Sequence, residues 1–556
     1  MLEPKVYGGR SPSGILQGPV FASQAGFFFK VNDVTTQDGE IISQSKFCSD
    51  RMVNQSGGRY YAVVPPVPSL GKSAMQPANI RMTSSYIVFT AVVWLASVEV
   101  LTAGDDAAWF RRDHGIASAN VSLPSEFGDG EERMWRAEVP PGISTPCICG
   151  DSVFITSFVA ENRELATVAL DQATGKIRWK QVVPTQTLEA FHRVGSPAAS
   201  SPACNGSQVF SFFGSYGMMC YDLNGTLLWE RQMGPFQDEF GASSSPVLTD
   251  DIVILNEDHD IGSFLVALDQ KTGNVVWKTP REEATRSYST PVVFKNQGRT
   301  EILIAGSLQL AAYDPADGQK LWWFDGLSRI VDSTPVITDG QIYVATWTPG
   351  GDPHDRIRME PFAMALTTYD KNSDGEIGQD ELPAGSPILE RFFRIDLSQN
   401  QRLDQAEWDK HILVFARAQN AAVSIRPGTR GLLPAENLNW SYSRSLPTVP
   451  SSVVYDGVMY MVKDGGVITS LDAATGEPLK QGRATGPGNY YASIVAGDGK
   501  VYLISEGGVV TVLKAGRDWS ILASSDFQER IMATPVISNG LMLIRTDAAL
   551  YAFRCR

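Results

Sequence analysis

Residues 370–381 read DKNSDGEIGQDE, with oxygen-bearing side chains recurring at alternate positions. Asp370, Asn372 and Asp374 stand at positions 1, 3 and 5, Gly375 at 6, Glu376 at 7, Ile377 at 8 and Glu381 at 12. A hard divalent cation takes about six to eight oxygens. In this spacing the odd positions point inward, position 7 offers its carbonyl, glycine permits the sharp turn and the closing glutamate binds through both oxygens. That is the pattern of an EF-hand calcium loop. A second loop, DLSQNQRLDQAE at 396–407, carries Asp396, Ser398, Asn400, Arg402 (by its carbonyl), Asp404 and Glu407 at positions 1, 3, 5, 7, 9 and 12. Gln401 holds its glycine position, where a left-handed non-glycine residue costs on the order of 1 kcal/mol. The stretches EPFAMALTTY, ILERFFRI and AEWDKHILVFARA can supply two entering helices and the last exiting one, while Pro383 cuts the middle helix short. The loops start 26 residues apart, and the expected calcium module spans 356–416.

The chain around this module is built of repeats. One phrase runs strand, Asx/Gly turn, strand: VALDQATGKIRW (168–179), MCYDLNGTLLW (219–229), VALDQKTGNVVW (266–277) and AAYDPADGQKLW (311–322), with a weaker SLDAATGEPL and a shortened VLKAGRDW. A second phrase is Ser/Thr-Pro followed by apolar residues and a turn, as in STPVITDGQIYVATW (333–347). Aligned positions at 145, 201, 245, 290, 334, 452, 492 and 534 make eight units spaced by 56, 44, 45, 44, 118, 40 and 42 residues. Four short strands per unit of this length predict a propeller blade, so the expected fold is all-β, an eight-bladed β-propeller over 106–556. Trp135 has no complete blade before it and the strand ALYAFR at 549–554 has no outer partner after it, so joining them closes the ring. The 118-residue gap is one unit plus roughly 70 extra residues, and the calcium module lies inside it.

Residues just before the Ser/Thr-Pro strands are expected at one mouth of the central channel: Glu239, Arg286, Tyr288, Arg329, Asp332, and also Glu529 and Arg530. Converging acids and arginines suit a polar ligand, and they suit mutual pairing that plugs the channel. Asp258, His259 and Asp260 read as a hairpin turn before a metal site. The blade tryptophans read as packing between blades, and Trp347 as a cover for the root of the insertion.

With the repeats in view, residues from about 106 onward resemble the pyrroloquinoline-quinone-like propeller family of bacteria, through the D-x-x-T-G…W turns, the Ser/Thr-Pro strand starts and FFGSYGMMCYDLNGTLLWERQMGPFQDEFGASSSPVL. AAWFRRDHGIASANVSLP resembles the opening of the mature part of such proteins. The resemblance implies either a quinoprotein alcohol dehydrogenase or a non-enzymatic member such as the outer-membrane assembly lipoprotein. Dehydrogenase members hold the quinone on the axis with calcium, an aspartate base and often a ring of two adjacent cysteines. No adjacent cysteine pair and no CxxCH occur in this sequence. The leading reading is therefore an exported calcium-binding scaffold with an unknown protein or polymer ligand. The alternative is an alcohol or sugar dehydrogenase with pyrroloquinoline quinone as cofactor, and a glycan or polymer binder stands third.

Composition sets the remaining bounds. A net charge of −14 without a Lys/Arg run speaks against nucleic acid as partner. Six cysteines lack metal spacing, and buried free thiols are expected. An apolar run, YIVFTAVVWLASV at 86–98, has small residues after it and reads as a signal-like segment over 82–105. Upstream, 1–81 is irregular. A start assigned too early, an internal membrane anchor and a buried strand are the three readings of this region. Periplasmic or secreted localisation, with no stable membrane span in the mature form, is the expectation.

Overall fold

The turn chemistry is local and repeats from blade to blade. Asp171 Oδ1 accepts from the N–H and hydroxyl of Thr174 at 2.9 and 2.7 Å, and Gly175 donates its N–H to the Asp171 carbonyl at 2.8 Å. Asp269 with Thr272 and Asp472 with Thr475 repeat the arrangement. Gly175 and Gly273 sit at φ +71° and +70°, which only glycine adopts cheaply. A one-residue bulge just before the outer tryptophan then turns the indole toward the next blade, as at Ala169/Leu170 opposite Trp179.

That docking explains both the tryptophan and the glycine. The indole N–H of Trp135, Trp179, Trp229, Trp277 and Trp440 each donates to a backbone carbonyl of the following blade at 2.9 Å. Beneath each ring lies the next turn's glycine: a Cβ on Gly175, Gly273, Gly318 or Gly476 would come within 2.5 Å of the indole. Packing between blades is thus the role of these tryptophans. Two depart from the pattern. Trp322 donates to buried Glu301, because the blade after it lacks the usual turn. Trp519 turns back to Ser470 Oγ at 3.1 Å, in the blade where Leu479 replaces tryptophan.

The computed structural model describes residues 107–118, 121–130 and 132–556. The expected extension at 1–81 and the whole of the signal-like segment at 82–105 lie outside the described residues, as does residue 106. Eight blades of four antiparallel strands follow one another in chain order, from blade one (Cys147–Cys149, Ser152–Val159, Glu164–Asp171, Ile177–Val182) to blade eight, and Gly431–Leu432 adds in parallel to the outer strand of blade four. Blade eight joins Val536–Ser538, Leu541–Arg545 and Ala549–Arg554 to the outermost strand Arg133–Glu138, with Trp135 opposite Ala552. The ring closes as the repeats require. Buried Arg545 clamps this seam, its guanidinium donating to the carbonyls of Ser144 and Thr156 in blade one at 3.0 and 2.9 Å.

At the axis, a belt of hydroxyls links the innermost strands. The N–H groups of Thr145, Ser201, Ser245, Thr334, Ser451, Ser493 and Thr534 each donate to the hydroxyl of the next blade at 2.9–3.1 Å. The belt uses Ser451 and Ser493 where the repeat alignment expected 452 and 492. The hydrogen bond, rather than the diverged text around it, decides the register. Further along the same strands, a strap crosses the far end of the ring. Ala107 and Ala108 carbonyls accept from Ile148 and Cys204, and Arg111 donates across the axis to the carbonyls of Ile494 and Ser452 at 2.8 and 2.7 Å.

Cys149 and Cys204, on the innermost strands of blades one and two, form a disulfide with Cα atoms 6.3 Å apart. The expectation of free thiols is corrected for this pair, since positions separated by 55 in the sequence become neighbours only when blade two packs beside blade one. Cys147, Cys220 and Cys555 are buried, and Cys220 and Cys555 form no disulfide among the described residues. Blade five (Val336–Thr338, Gln341–Thr346, Ala421–Ile425, Leu438–Tyr442) carries the insertion between its second and third strands. Its helices are α1 (Phe362–Tyr369), α2 (Pro387–Glu390), α3 (Phe392–Ile395) and α4 (Gln405–Arg417). The single helix expected over ILERFFRI is two short ones, broken at Arg391. Trp347 packs on the core of blades five and six, with Lys463 Nζ 5.7 Å from its ring, rather than over the insertion's root. Among the described residues no helix is long and apolar enough to cross a membrane.

Candidate functional site

Two constellations have functional chemistry. The first is the pair of acidic loops in the insertion. α1 runs directly into the first loop, where Asp370 accepts from the N–H groups of Ser373 and Gly375 at 2.7 and 3.0 Å. Glu381 closes it, taking the N–H of Lys371 at 2.8 Å and of Gly378 at 2.7 Å on separate oxygens. In the second loop Asp396 accepts from Asn400 and Gln401 at 3.1 and 2.9 Å, and Glu407 from Ser398 at 2.7 Å. Asp404 caps α4 and forms a reciprocal capping box with Glu407. The two loops pair through Ile377–Gly378 and Arg402–Leu403, so they lie side by side. Both hold left-handed residues at positions 4 and 6: Ser373 and Gly375 at φ +64° and +87°, Gln399 and Gln401 at φ +57° and +66°. Gln401 thus takes the conformation expected of glycine. Asp374, Asn372 and Glu376 stay at the exposed rim of loop one, where Arg402 Nη1 pairs with Asp374 Oδ2.

The second constellation is a cavity of about 400 Å³ on the axis above the hydroxyl belt, with Phe110 of the strap also in its wall. Four of the five expected mouth residues line it: Glu239, Tyr288, Arg329 and Asp332. Arg286 sits behind them, paired with Asp260 and Glu239. Glu529 and Arg530 do not reach the cavity, because Glu529 bonds Tyr551 at 3.0 Å and Arg530 bonds Glu506 at 3.0 Å.

Behind the wall lies a buried ionic network that sequence reading treated as a turn. Arg281 forks onto Asp258 at 2.6 and 2.9 Å. His259 Nε2 lies 2.9 Å from Glu257, its Nδ1 lies 3.8 Å from Asp238, and its ring stacks on Phe236 at 4.2 Å. Burial opposes the imidazolium, yet the flanking carboxylates Asp238 and Glu257 raise its pKa to about 10. Tyr288 donates its hydroxyl to Asp238. Asp332 is held up at about 7, first by burial and then by the Asp238 charge. Its surface is half-buried because it opens onto the cavity, while its depth in the ring governs its titration. Glu189 rises to about 8 for the same first reason, burial, which outweighs the N–H it accepts from Ala242. Sequence reading missed Glu189, Asp238 and Glu257, and no local motif marks them.

A family profile described as "Outer membrane protein assembly factor BamB" matches residues 125–307 and 265–370. Together the matched residues run from 125 to 370, less than half of the chain. Over those residues the chain is similar to the PQQ-like repeat propellers. A curated relative, the outer membrane protein assembly factor BamB of Yersinia pestis, is 23% identical to this propeller over 280 residues. That match covers 46% of the chain and 66% of the relative, just under two thirds of its length. Among solved structures, BamB from Moraxella catarrhalis aligns with a TM-score of 0.45 at 12% identity, covering 76% of this chain and 98% of that chain. A europium-containing methanol dehydrogenase aligns at 0.43 and 11%, covering 76% and 93%.

Proposed function

We propose that this chain is an exported, calcium-binding β-propeller that acts as a binding and interaction scaffold. The observation that carries the calcium reading is the common backbone course of the two loops, with position-1 aspartates and position-12 glutamates gathered onto inward N–H groups. The donor set is all oxygen, as a hard cation requires. The residues fit calcium in an EF-hand pair: Asp370, Asn372, Asp374, the Glu376 carbonyl and Glu381 in one loop, and Asp396, Ser398, Asn400, the Arg402 carbonyl, Asp404 and Glu407 in the other. Arg402 is the one competitor, since its guanidinium pairs with Asp374 and lies 3.9 Å from Glu376. Calcium here supplies charge and crosslinking to an inserted module.

The scaffold reading is supported by the match to a family named for outer membrane protein assembly. A disulfide between blades one and two supports residence outside the cytoplasm, where such bonds persist. Titration calorimetry of the full chain with calcium chloride tests the calcium part. Two sites are expected, the glycine-bearing 370–381 being tighter, and Glu381→Gln weakens that site at least about tenfold by removing a bidentate ligand. No heat of binding at about 1 mM calcium refutes the assignment.

A further inference from the structure

The insertion brings cations, as well as calcium loops, to the propeller mouth. Arg394 of α3 lines the axial cavity together with Arg329. Arg329 and Arg391 both approach the Phe415 ring of α4, at 5.3 and 5.9 Å, and His411 packs on the same ring at 4.1 Å. Among the described residues, none of Arg329, Arg391 and Arg394 has a carboxylate oxygen within the 4.0 Å of an ion pair. In a chain of net charge −14, acids are plentiful elsewhere. Arg329 is only 8% exposed, and only its Nε is bonded, to the Pro349 carbonyl at 2.9 Å. Arg394 Nε and His411 Nε2 are buried and unpartnered.

Like charges gathered in a partly buried seam repel one another, and their buried donors lack the hydrogen bonds they gave up in water. The strain shows in titration: Arg329 falls to about 10, through burial first and then the charges of Arg394 and Arg286. His411 falls to about 3 through burial and then Arg329, Arg391 and Arg394, so it is neutral and able to donate. An anion would relieve this arrangement. Guanidinium forks match carboxylate and phosphoryl oxygens alike. Asp332 shares the cavity and opposes a doubly charged head group such as phosphate more than a singly charged carboxylate head. The rest of the wall, with Phe110, Phe240 and Tyr491, suits an apolar or hydroxylated body, and about 400 Å³ is the volume of a small-ligand site.

We propose that the axial cavity binds a small carboxylate-bearing molecule whose anionic end bridges Arg329 of the propeller and Arg394 of the inserted module. This deepens the scaffold reading and rests on its binding role at the channel mouth, independently of whether calcium binds. Saturation-transfer NMR of the full-length protein with succinate as probe, in calcium-free buffer, tests it. Succinate should receive saturation with a Kd of about 1 mM or tighter. Arg329→Gln and the more exposed Arg394→Gln should each weaken it about tenfold, the loss of one charge-assisted contact. Circular dichroism checks the fold of both variants, and Arg394→Gln remains decisive if Arg329→Gln fails to fold. Unchanged succinate binding in a folded Arg394→Gln overturns the proposal, as does no transfer to succinate in the wild type. Inorganic phosphate displacing succinate at lower concentration than acetate does would overturn the carboxylate assignment. Absent calcium heats would instead sink the EF-hand reading and leave the succinate result standing.

Discussion

Glycine beneath a docked indole is the joint on which this ring depends, and two glycines with the same backbone separate its cost into parts. Gly273 and Gly340 have φ +70° and +71°. A Cβ on Gly273 would meet the Trp229 ring at 2.5 Å, whereas a Cβ on Gly340 would meet nothing within 4 Å. Alanine at either position pays roughly 1–2 kcal/mol for a left-handed residue. At 273 it also forces the indole off its seat, an overpacking cost of about 1–3 kcal/mol. Displacement endangers the Trp229 Nε1 bond to the Gln270 carbonyl, 2.9 Å long and worth about 1 kcal/mol. Gly273→Ala is therefore expected to be less stable than Gly340→Ala by about 2–4 kcal/mol. Equilibrium urea unfolding followed by far-ultraviolet circular dichroism measures this as a shift in midpoint with an unchanged slope. If the two variants unfold within about 0.5 kcal/mol of each other, indole docking is not what the turn glycines are for.

Stability should fall as pH rises from about 5 to about 8, because folded Glu189 (about 8) and Asp332 (about 7) keep protons that the unfolded chain releases near 4. His259, raised to about 10, works in the same direction: its contribution is complete below about 6.5 and lost as pH climbs through 10. Glu189→Gln should flatten the slope of thermal midpoint against pH across that window, and a midpoint that climbs from pH 5 to 8 would contradict the burial of these groups. Cys204→Ser should lose roughly 2–4 kcal/mol, since the bond closes a loop of sequence separation 55. Non-reducing peptide mapping of the wild type should recover the Cys149–Cys204 crosslink, and finding both as free thiols would refute it.

Legibility followed the range of the interaction. The turn phrase was readable because Asp171, Thr174 and Gly175 bond to one another within five residues. The acidic loops were readable for the same reason, their backbone course being written by closely spaced residues. Where copies diverged, the text misled by one residue: Ser451 and Ser493 hold the belt although 452 and 492 align better in sequence. The helix over ILERFFRI breaks at Arg391, whose guanidinium donates to the Asp355 carbonyl at the start of the insertion, a contact that local propensity does not encode.

By itself, the sequence determined the number of blades, the closure of the ring through Trp135 and ALYAFR, the docking role of the tryptophans and the spacing of the loop oxygens. Each of these is periodic or confined to a few neighbouring residues, so composition and register suffice. Only the tertiary structure decided what meets across the ring. It joined Cys149 to Cys204, drew Arg111 over the axis to blades six and seven, and placed His259 between Glu257 and Asp238. It also set Arg394 of the insertion beside Arg329 of the propeller. Those contacts join residues tens to hundreds of positions apart, or turn neighbours inward to a common core. Their energies depend on burial and on partners that no local pattern encodes.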